Sequence, residues 1–401
     1  MPLPLFLPCA AGVETLLATE IRGLLPSADV VSSRGGVALS GDPLEVMTLN
    51  LESRLAQRVL VEVGSCAYRT DQELYDLAHA IDWTEWVTPR HTLRVDTTVQ
   101  RSPLRSVNFA ALRIKDAVCD MLREATGQRP SVDTHHPDLQ LVLHLGAERA
   151  VLYIDTSGEA LFKRGWRTDK GDAPLKETLA AAMLAASGWW NPERGEVSQA
   201  PLYDPCCGSG TIAIEAAQLA QGIAPGAQRR FGFEKLLPFQ AHVWSALKAE
   251  AVPAAPPQAP AIFGSDVSHR MVDFAERNAE RAGVASAIQF RGGDALQRMP
   301  PAESGVIVLN PPYGERIEVG GVARGREDAQ TEDGGEFFVQ LASHWKKNYA
   351  GWTAWVLTPE LQLPKRMRLK ESRRVPMWNG PIECRLFRFD MVAGSARGKA
   401  A

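Results

Sequence analysis

Two short segments of this chain carry residue types that could do chemistry together, Asp204-Pro-Cys-Cys-Gly-Ser-Gly-Thr211 and Asn310-Pro-Pro-Tyr313. In the first, Asp204 closes a short apolar strand and a small-residue turn, Gly208-Ser-Gly210, opens a helix from Thr211 to Leu219. Glycines there let a ligand approach backbone atoms that a side chain would cover. The segment is not a phosphate-cradling loop, because no Gly-Lys-Ser/Thr follows, and it lacks the third glycine of the dinucleotide fingerprint. Taken alone, it also reads as a plain tight turn. The candidate ligand contacts are Asp204, Cys206, Gly208, Ser209, Gly210 and Thr211. In the second segment, two successive prolines fix the backbone and remove its donors, leaving carbonyls that only accept. The Asn310 side-chain oxygen and the Pro311 carbonyl can then receive both hydrogens of an aryl amine and turn its nitrogen toward an electrophilic methyl group. Pro312 completes the rigid turn and Tyr313 can stack on the base. A paired base hides its amine, so the nucleotide must be flipped out or already unpaired. Such a displacement needs placement and facing acceptors more than a strong base. Glu315 and Arg316 could sit at the target nucleotide or form a salt-bridged loop.

Both segments need a sheet to bring them together. From Pro201 onward, short apolar strands alternate with loops and helices, the pattern of a doubly wound parallel sheet. Strands are expected at Leu202-Tyr203, Ile262 to Ser265, Ile288 to Phe290, Val306 to Leu309 and Ala354 to Leu357, with a terminal pair around Arg373 to Phe389. Asp266 ends the second strand, where a carboxylate can accept from both hydroxyls of a ribose. Asp294 follows the third and could accept an adenine amino group. Either aspartate could instead cap a helix, but three in register at strand ends match the place where ligands of such sheets bind. Asp172 to Leu184 reads as a helix, with Asp172 at the N-cap and Pro174 in the first turn. Upstream, helices at 10–25, 74–81 and 108–124, with strands around Asp29 to Leu39, Arg58 to Val63, Thr92 to Gln100, Leu139 to Leu145 and Ala150 to Asp155, suggest two small α+β units. Gly222 to Pro260 reads as a proline-rich insertion with aromatic residues.

At 401 residues the chain is long enough for two or three domains of about 100 to 200 residues. Its 45% hydrophobic and 23% charged residues are those of an ordinary globular protein. No apolar run reaches the roughly 20 residues that span a membrane. The start is apolar but proline-broken and without a basic leader, so it is not read as a signal peptide, and a cytoplasmic location is expected. The six cysteines show no disulfide framework, and no histidine lies near them at zinc-site spacing, so no metal is expected. A net charge of −3 excludes a wholly basic nucleic-acid binder but not local patches such as Lys163-Arg164 with Arg167, Arg229-Arg230, and Lys365 to Arg374. Each patch alone reads as a solvated face.

With these residues in place, the chain resembles the class I methyltransferase fold and, within it, the bacterial family of THUMP-containing RNA guanine-N2 methyltransferases. The likeness rests on Phe162-Lys-Arg-Gly-Trp-Arg167, Ala173-Pro-Leu-Lys-Glu-Thr-Leu-Ala-Ala181, the segment Asp204 to Thr211, Ile223-Ala-Pro-Gly226 with Phe231-Gly-Phe-Glu234, and Asn310-Pro-Pro-Tyr-Gly-Glu-Arg316. It covers most of the chain and is nearest to the branch that modifies 23S ribosomal RNA. The resemblance implies an α/β fold in which a class I, Rossmann-like sheet follows α+β ferredoxin-like and THUMP modules. The implied units are a ferredoxin-like unit at 1–60, an RNA-binding THUMP domain at 61–160, a cofactor-covering linker at 161–200, the methyltransferase domain at 201–393 and a tail at 394–401. It implies S-adenosyl-L-methionine as cofactor, with Pro174 to Thr178 near its methionine end, and structured RNA as partner. The implied RNA contacts are Arg101, Arg105, Lys163, Arg164 and Arg167. A monomer is expected. Trp166 stands where the family often has tyrosine. Some relatives are fused to a second methyltransferase, whereas this sequence holds one catalytic domain, so no second modification is inferred.

Three other readings stay open. Asn-Pro-Pro-Tyr also serves adenine N6 in DNA, although the RNA-type N-terminal module argues against it. A tRNA guanosine is the nearest alternative substrate. A non-catalytic RNA-binding assembly factor would be expected to have lost the glycine loop or Asn310, and this chain keeps both.

Overall fold

The proline-broken start of the chain is a strand, β1 (Leu3–Pro8), and it stays one because of where its prolines fall. It pairs with one neighbour over its whole length, but with the other only at Leu5 and Phe6, so neither Pro4 nor Pro8 has to donate on that side. After it come α1 (Glu14–Leu24), β2 (Val31–Ser33), β3 (Gly36–Gly41), α2 (Pro43–Glu52), β4 (Leu60–Ala67), α3 (Asp71–His79), β5 (Leu93–Val99), α4 (Val107–Thr126), β6 (Leu139–Leu145) and β7 (Arg149–Asp155). The computed structural model describes residues 2–171, 174–252, 259–311 and 334–392.

These strands make one seven-stranded sheet in the order β2-β3-β1-β4-β7-β6-β5, antiparallel except for β5 beside β6. The two small units read from the sequence therefore share a sheet, with β4 at their junction. Helix α4 buries Ala110, Ile114, Ala117, Val118 and Leu122, a spacing that keeps one face on the sheet. Ser106 caps it by accepting from Phe109 N, and Gly127 ends it in the left-handed region.

The second half holds α5 (Glu177–Ala186), a small hairpin of β8 (Trp190–Asn191) and β9 (Glu196–Val197), β10 (Leu202–Asp204), α6 (Thr211–Ala220), α7 (Ala241–Glu250), β11 (Ile262–Asp266), α8 (His269–Arg281), β12 (Ile288–Gly292), β13 (Gly305–Leu309), α9 (Gly334–Asn348), β14 (Trp352–Thr358), α10 (Leu363–Met367), β15 (Arg373–Asn379) and β16 (Ile382–Asp390). The second sheet runs β12-β11-β10-β13-β14-β16-β15, five parallel strands closed by an antiparallel hairpin. From β10 the chain winds outward through β11 and β12, then returns to β13 and β14 on the other side. Such a reversal opens a crevice at the carboxyl ends of the two central strands, β10 and β13. Gly305 is needed for the sheet to close, since a Cβ there would lie 2.6 Å from Pro201 O and 2.7 Å from the Trp352 ring.

Helices α5 and α6 are buried along their whole lengths. Both are rich in alanine, which lets α6 lie close on β10 and β11, and α5 on α6, with little side-chain volume. Helix α5 starts at Glu177, with Lys176 at its N-cap, four residues later than the sequence pattern suggests. Lys176 is extended and has no side-chain cap, Pro174 precedes the helix, and Asp172 lies outside the described residues. The insertion after Gly222 is not a loose loop. Phe231 stacks on Phe233 at 5.4 Å, and Trp244 of α7 meets both rings edge-on. Gly226 N donates to Leu51 O, Phe233 N to Thr156 O and Leu237 N to Trp86 O, so the insertion brackets both parts of the N-terminal sheet. No described helix is long and apolar enough to cross a membrane.

Candidate active site

The first central strand, β10, delivers Asp204 to the crevice, and the loop that follows curls over the neighbouring strand end. Cys207 N donates to Ser265 O at 2.9 Å and Gly208 N to Asp266 Oδ2 at 2.9 Å. Gly208 takes φ +51 and Gly210 φ +90, which L side chains rarely adopt. A Cβ on Gly208 would meet nothing within 4 Å, so the loop faces open space there. A Cβ on Gly210 would lie 3.0 Å from the Ala275 side chain, so that glycine serves close packing on α8. Ser209 and Thr211 are both buried.

Three carboxyl groups line successive strand ends. Asp204 is 2% exposed, and burial, with the Asp266 charge adding to it, pushes its pKa up to about 8 against the donation from Cys206 N. Burial raises Asp266 as well, opposed by Ser268 N and Gly208 N, each at 2.9 Å from one of its oxygens. A carboxylate has about four lone-pair positions, so both Asp266 oxygens can still accept. Asp294 caps the turn after β12, its Oδ1 taking Leu296 N at 2.9 Å and its carbonyl taking Gln297 N and Arg298 N. Burial and these carboxylates hold the Cys206 and Cys207 thiols well above the usual range, which removes them as nucleophiles.

Strand β13 runs parallel to β10, with Val306 opposite Leu202 and Ile307 opposite Tyr203. Asn310, the first residue past β13, therefore stands about one strand spacing, ~4.8 Å, from the line of the Asp204 loop. Its Oδ1 is buried and has no hydrogen-bond partner among the described residues. An unpaired buried acceptor is costly unless something else supplies the donor. Pro311 is buried beside it, whereas Pro312, Tyr313, Glu315 and Arg316 lie outside the described residues. Thr178 is buried in the first turn of α5 and Pro174 is exposed just before it.

Two of the expected RNA contacts have side chains turned into the protein. Arg164 is 2% exposed, with Nε 3.1 Å from Glu215 Oε1, Nη1 donating to Leu161 O and Nη2 to Arg54 O, so its guanidinium is buried against protein acceptors and not presented at the surface. Arg167 also turns inward, to Glu177, Ser209 and Thr211. Lys163 does reach the surface, paired with Glu159 at 2.7 Å. Arg101 and Arg105 are exposed on the loop between β5 and α4, and Phe109 and Leu112 stand exposed one turn further on.

Asn278 was not anticipated. It lies on the buried face of α8 among Val272, Ala275 and Ala279, and its Nδ2 donates to Ser209 O at 3.0 Å and Asp169 O at 2.8 Å. An amide within an apolar helical stripe is the signal that could have found it, because buried amides need partners. Among the described residues no group of His, Cys, Asp and Glu could hold a metal ion.

Similarity to known proteins follows the same partition of the chain. The family described as the RMKL-like methyltransferase domain matches residues 164–388, the THUMP domain matches 68–155, and the RlmL ferredoxin-like domain matches 4–60. The ribosomal RNA large subunit methyltransferase K/L of Syntrophotalea carbinolica is 37% identical over 98% of this chain and 54% of its own length. This chain thus spans about half the length of that relative. The putative RNA methyltransferase slr0064 of Synechocystis sp. is 36% identical over 97% of both chains. Among solved structures, SMU.472, a putative methyltransferase complexed with SAH, superposes with a TM-score of 0.83 at 27% identity, covering 97% of this chain and 98% of that one.

Proposed function

This chain belongs to the RMKL-like methyltransferase family, and from that premise we propose that it transfers a methyl group from S-adenosyl-L-methionine to the exocyclic N2 amine of a guanosine in 23S ribosomal RNA. The observation that carries the reading is the buried Asn310 Oδ1, without a partner among the described residues, beside a crevice whose other wall is the glycine loop. An acceptor held in that position suits an incoming N–H donor, and the Pro311 carbonyl offers the second acceptor an amine requires.

The residues present fit the cofactor. Gly208 leaves room for a ligand against the backbone, and Asp266 keeps acceptor capacity for the ribose hydroxyls. Asp294 is assigned the adenine amino group, and Pro174 and Thr178 the methionine end. The SAH held by SMU.472 and the names of the two relatives support this cofactor and an RNA substrate. When bound, the cofactor supplies an electrophilic methyl on a sulfonium. Asn310 and Pro311 hold the amine by both hydrogens and point its nitrogen at that methyl. They also face the positive charge that develops on nitrogen as the bond forms. Tyr313 is assigned to stack on the flipped base.

In this reading the chain divides as 1–60, 61–160, 161–200 and 201–393, and the expectation for 394–401 lies outside the described residues. The exposed Arg101 and Arg105, with Lys163, contact the RNA. We also propose a monomer acting in the cytoplasm without a metal. The decisive experiment incubates the protein with labelled S-adenosylmethionine and separate pools of undermethylated 23S ribosomal RNA, tRNA and DNA, then identifies the modified nucleoside. N2-methylguanosine in 23S ribosomal RNA is expected. Label confined to tRNA would replace the substrate, and N6-methyladenine in DNA would overturn the reading.

A further inference from the structure

We propose that Arg167 is a positioning residue for the cofactor loop, holding Ser209 and Thr211 against the first turn of α5, and not a contact for RNA. This inference rests on the cofactor-binding reading above. A loop built on two glycines has little conformational preference of its own, so its shape has to be imposed by neighbours. Arg167 is the group that touches it on both sides of Gly210. Its Nη1 donates to Ser209 Oγ at 2.7 Å and its Nη2 to Thr211 Oγ1 at 2.7 Å. The same guanidinium pairs through Nε with Glu177 Oε1 at 2.8 Å, and Nη2 reaches Leu175 O at 3.5 Å. Its side chain is 11% exposed and its guanidinium lies 4.9 Å over the Trp166 ring. One rigid planar fork thus joins the glycine loop to the segment entering the α5 helix, a geometry that a lysine ammonium cannot reproduce.

The segment carrying Arg167 is itself fastened from behind. Arg281 Nε donates to Trp166 O at 3.0 Å, and the Asp169 carboxylate pairs with Arg277 and Arg281 of α8. Asn278 closes the circuit by donating to both Asp169 O and Ser209 O. The loop is therefore held from two directions, by Asn278 on its backbone and by Arg167 on its hydroxyls. A displaced loop would misplace Gly208 and with it the space left for the ligand. An exposed lysine or arginine meant for phosphate would have its donors turned to solvent, whereas Arg167 directs them to four protein acceptors.

The test uses the full chain with SAH as probe. Arg167→Met should weaken SAH binding by roughly tenfold or more, the scale of one lost charge-assisted contact set. It should raise KM for S-adenosylmethionine in parallel and lower kcat at saturating cofactor much less. KM for RNA and its salt dependence should stay at wild-type values. Arg167→Lys should recover only part of the affinity. Because the single variant leaves Glu177 buried and unpaired, the double variant Arg167→Met/Glu177→Gln is measured beside it, and the same loss of SAH affinity is expected with a wild-type melting temperature. Unchanged SAH affinity in Arg167→Met overturns the inference. So does a raised KM for RNA with a shallower salt slope and intact cofactor binding, which would return Arg167 to the RNA. A melting temperature that falls in every variant while SAH affinity holds would also overturn it. A wild-type chain that binds no SAH overturns the proposed function itself and this inference with it.

Discussion

A carboxyl group buried beside another carboxylate resists ionisation, and Asp204 is in that position. Unfolded, it ionises above about pH 4; folded, it keeps its proton up to about 8. Its contribution to stability is thus fully present below about pH 4 and is lost as pH rises through 8. Between pH 6 and 9 the ligand-free chain should lose melting temperature, and Asp204→Asn, which keeps an acceptor for Cys206 N, should remove part of that loss. An unchanged slope in the variant would show that the buried charge lies elsewhere. At Asn310 the expectation concerns turnover: Asn310→Ala should lower kcat by about 10²-fold or more, the usual cost of one transition-state acceptor or donor, while SAH affinity stays near wild type. Wild-type turnover in that variant would remove the amine-orienting role. Both positions are legible in sequence because each directly follows an apolar strand. That Asn310 Oδ1 has no partner among the described residues is not legible, since it depends on what the fold leaves nearby.

At the level of elements, the parallel strands of the second sheet announce themselves as short runs such as Val306-Ile-Val-Leu309, buried on both faces and flanked by loops. Helices α2 and α7 and strand β1 do not. Strand β1 hides behind its prolines, and α7 sits in an insertion whose aromatic residues pack on one another while the helix itself packs on the distant α2. The start of α5 is misread for a related reason. Asp172 and Pro174 look like a cap and a first turn, yet Glu177 begins the helix, where Arg167 meets it from ten residues upstream. The glycine loop supplies the testable case. Gly210→Ala would force a Cβ into φ +90 and to within 3.0 Å of Ala275, so we expect a loss of about 1–3 kcal/mol in urea unfolding, accompanied by weaker SAH binding. Stability within a few tenths of a kcal/mol of wild type would show that the loop tolerates a side chain there.

Across the whole molecule, a buried charge cluster joins the two sheets. Glu215 of α6 is fully buried and pairs with Arg54 at 3.3 Å and Arg164 at 3.1 Å. Arg54 also donates to Ile223 O, while its backbone N donates to Glu20 of α1 at 2.7 Å. The helix that begins at the glycine loop is thereby anchored to the N-terminal module. Removing one partner from such a cluster leaves uncompensated charge in the interior. Glu215→Ala should therefore cost about 3–5 kcal/mol, read as an earlier urea midpoint of the full chain. A cost below 1 kcal/mol would mean that apolar packing between α5, α6 and the N-terminal sheet holds the halves together without the ions.

Sequence alone determined which residues stand at the strand ends of this protein: Asp204, the glycine loop, Asp266, Asp294 and Asn310 are legible because each lies within a few residues of the strand that delivers it. Tertiary structure alone decided what the cations of the 160s do. Arg164 and Arg167 sit in one basic motif, and no periodicity distinguishes them from a phosphate-binding patch. Their partners Arg54, Ser209, Thr211 and Glu215 lie 42 to 110 residues away along the chain. A short-range pattern specifies local geometry, whereas the partner of a long charged side chain is chosen by burial, where an unpaired guanidinium costs too much to leave unmet.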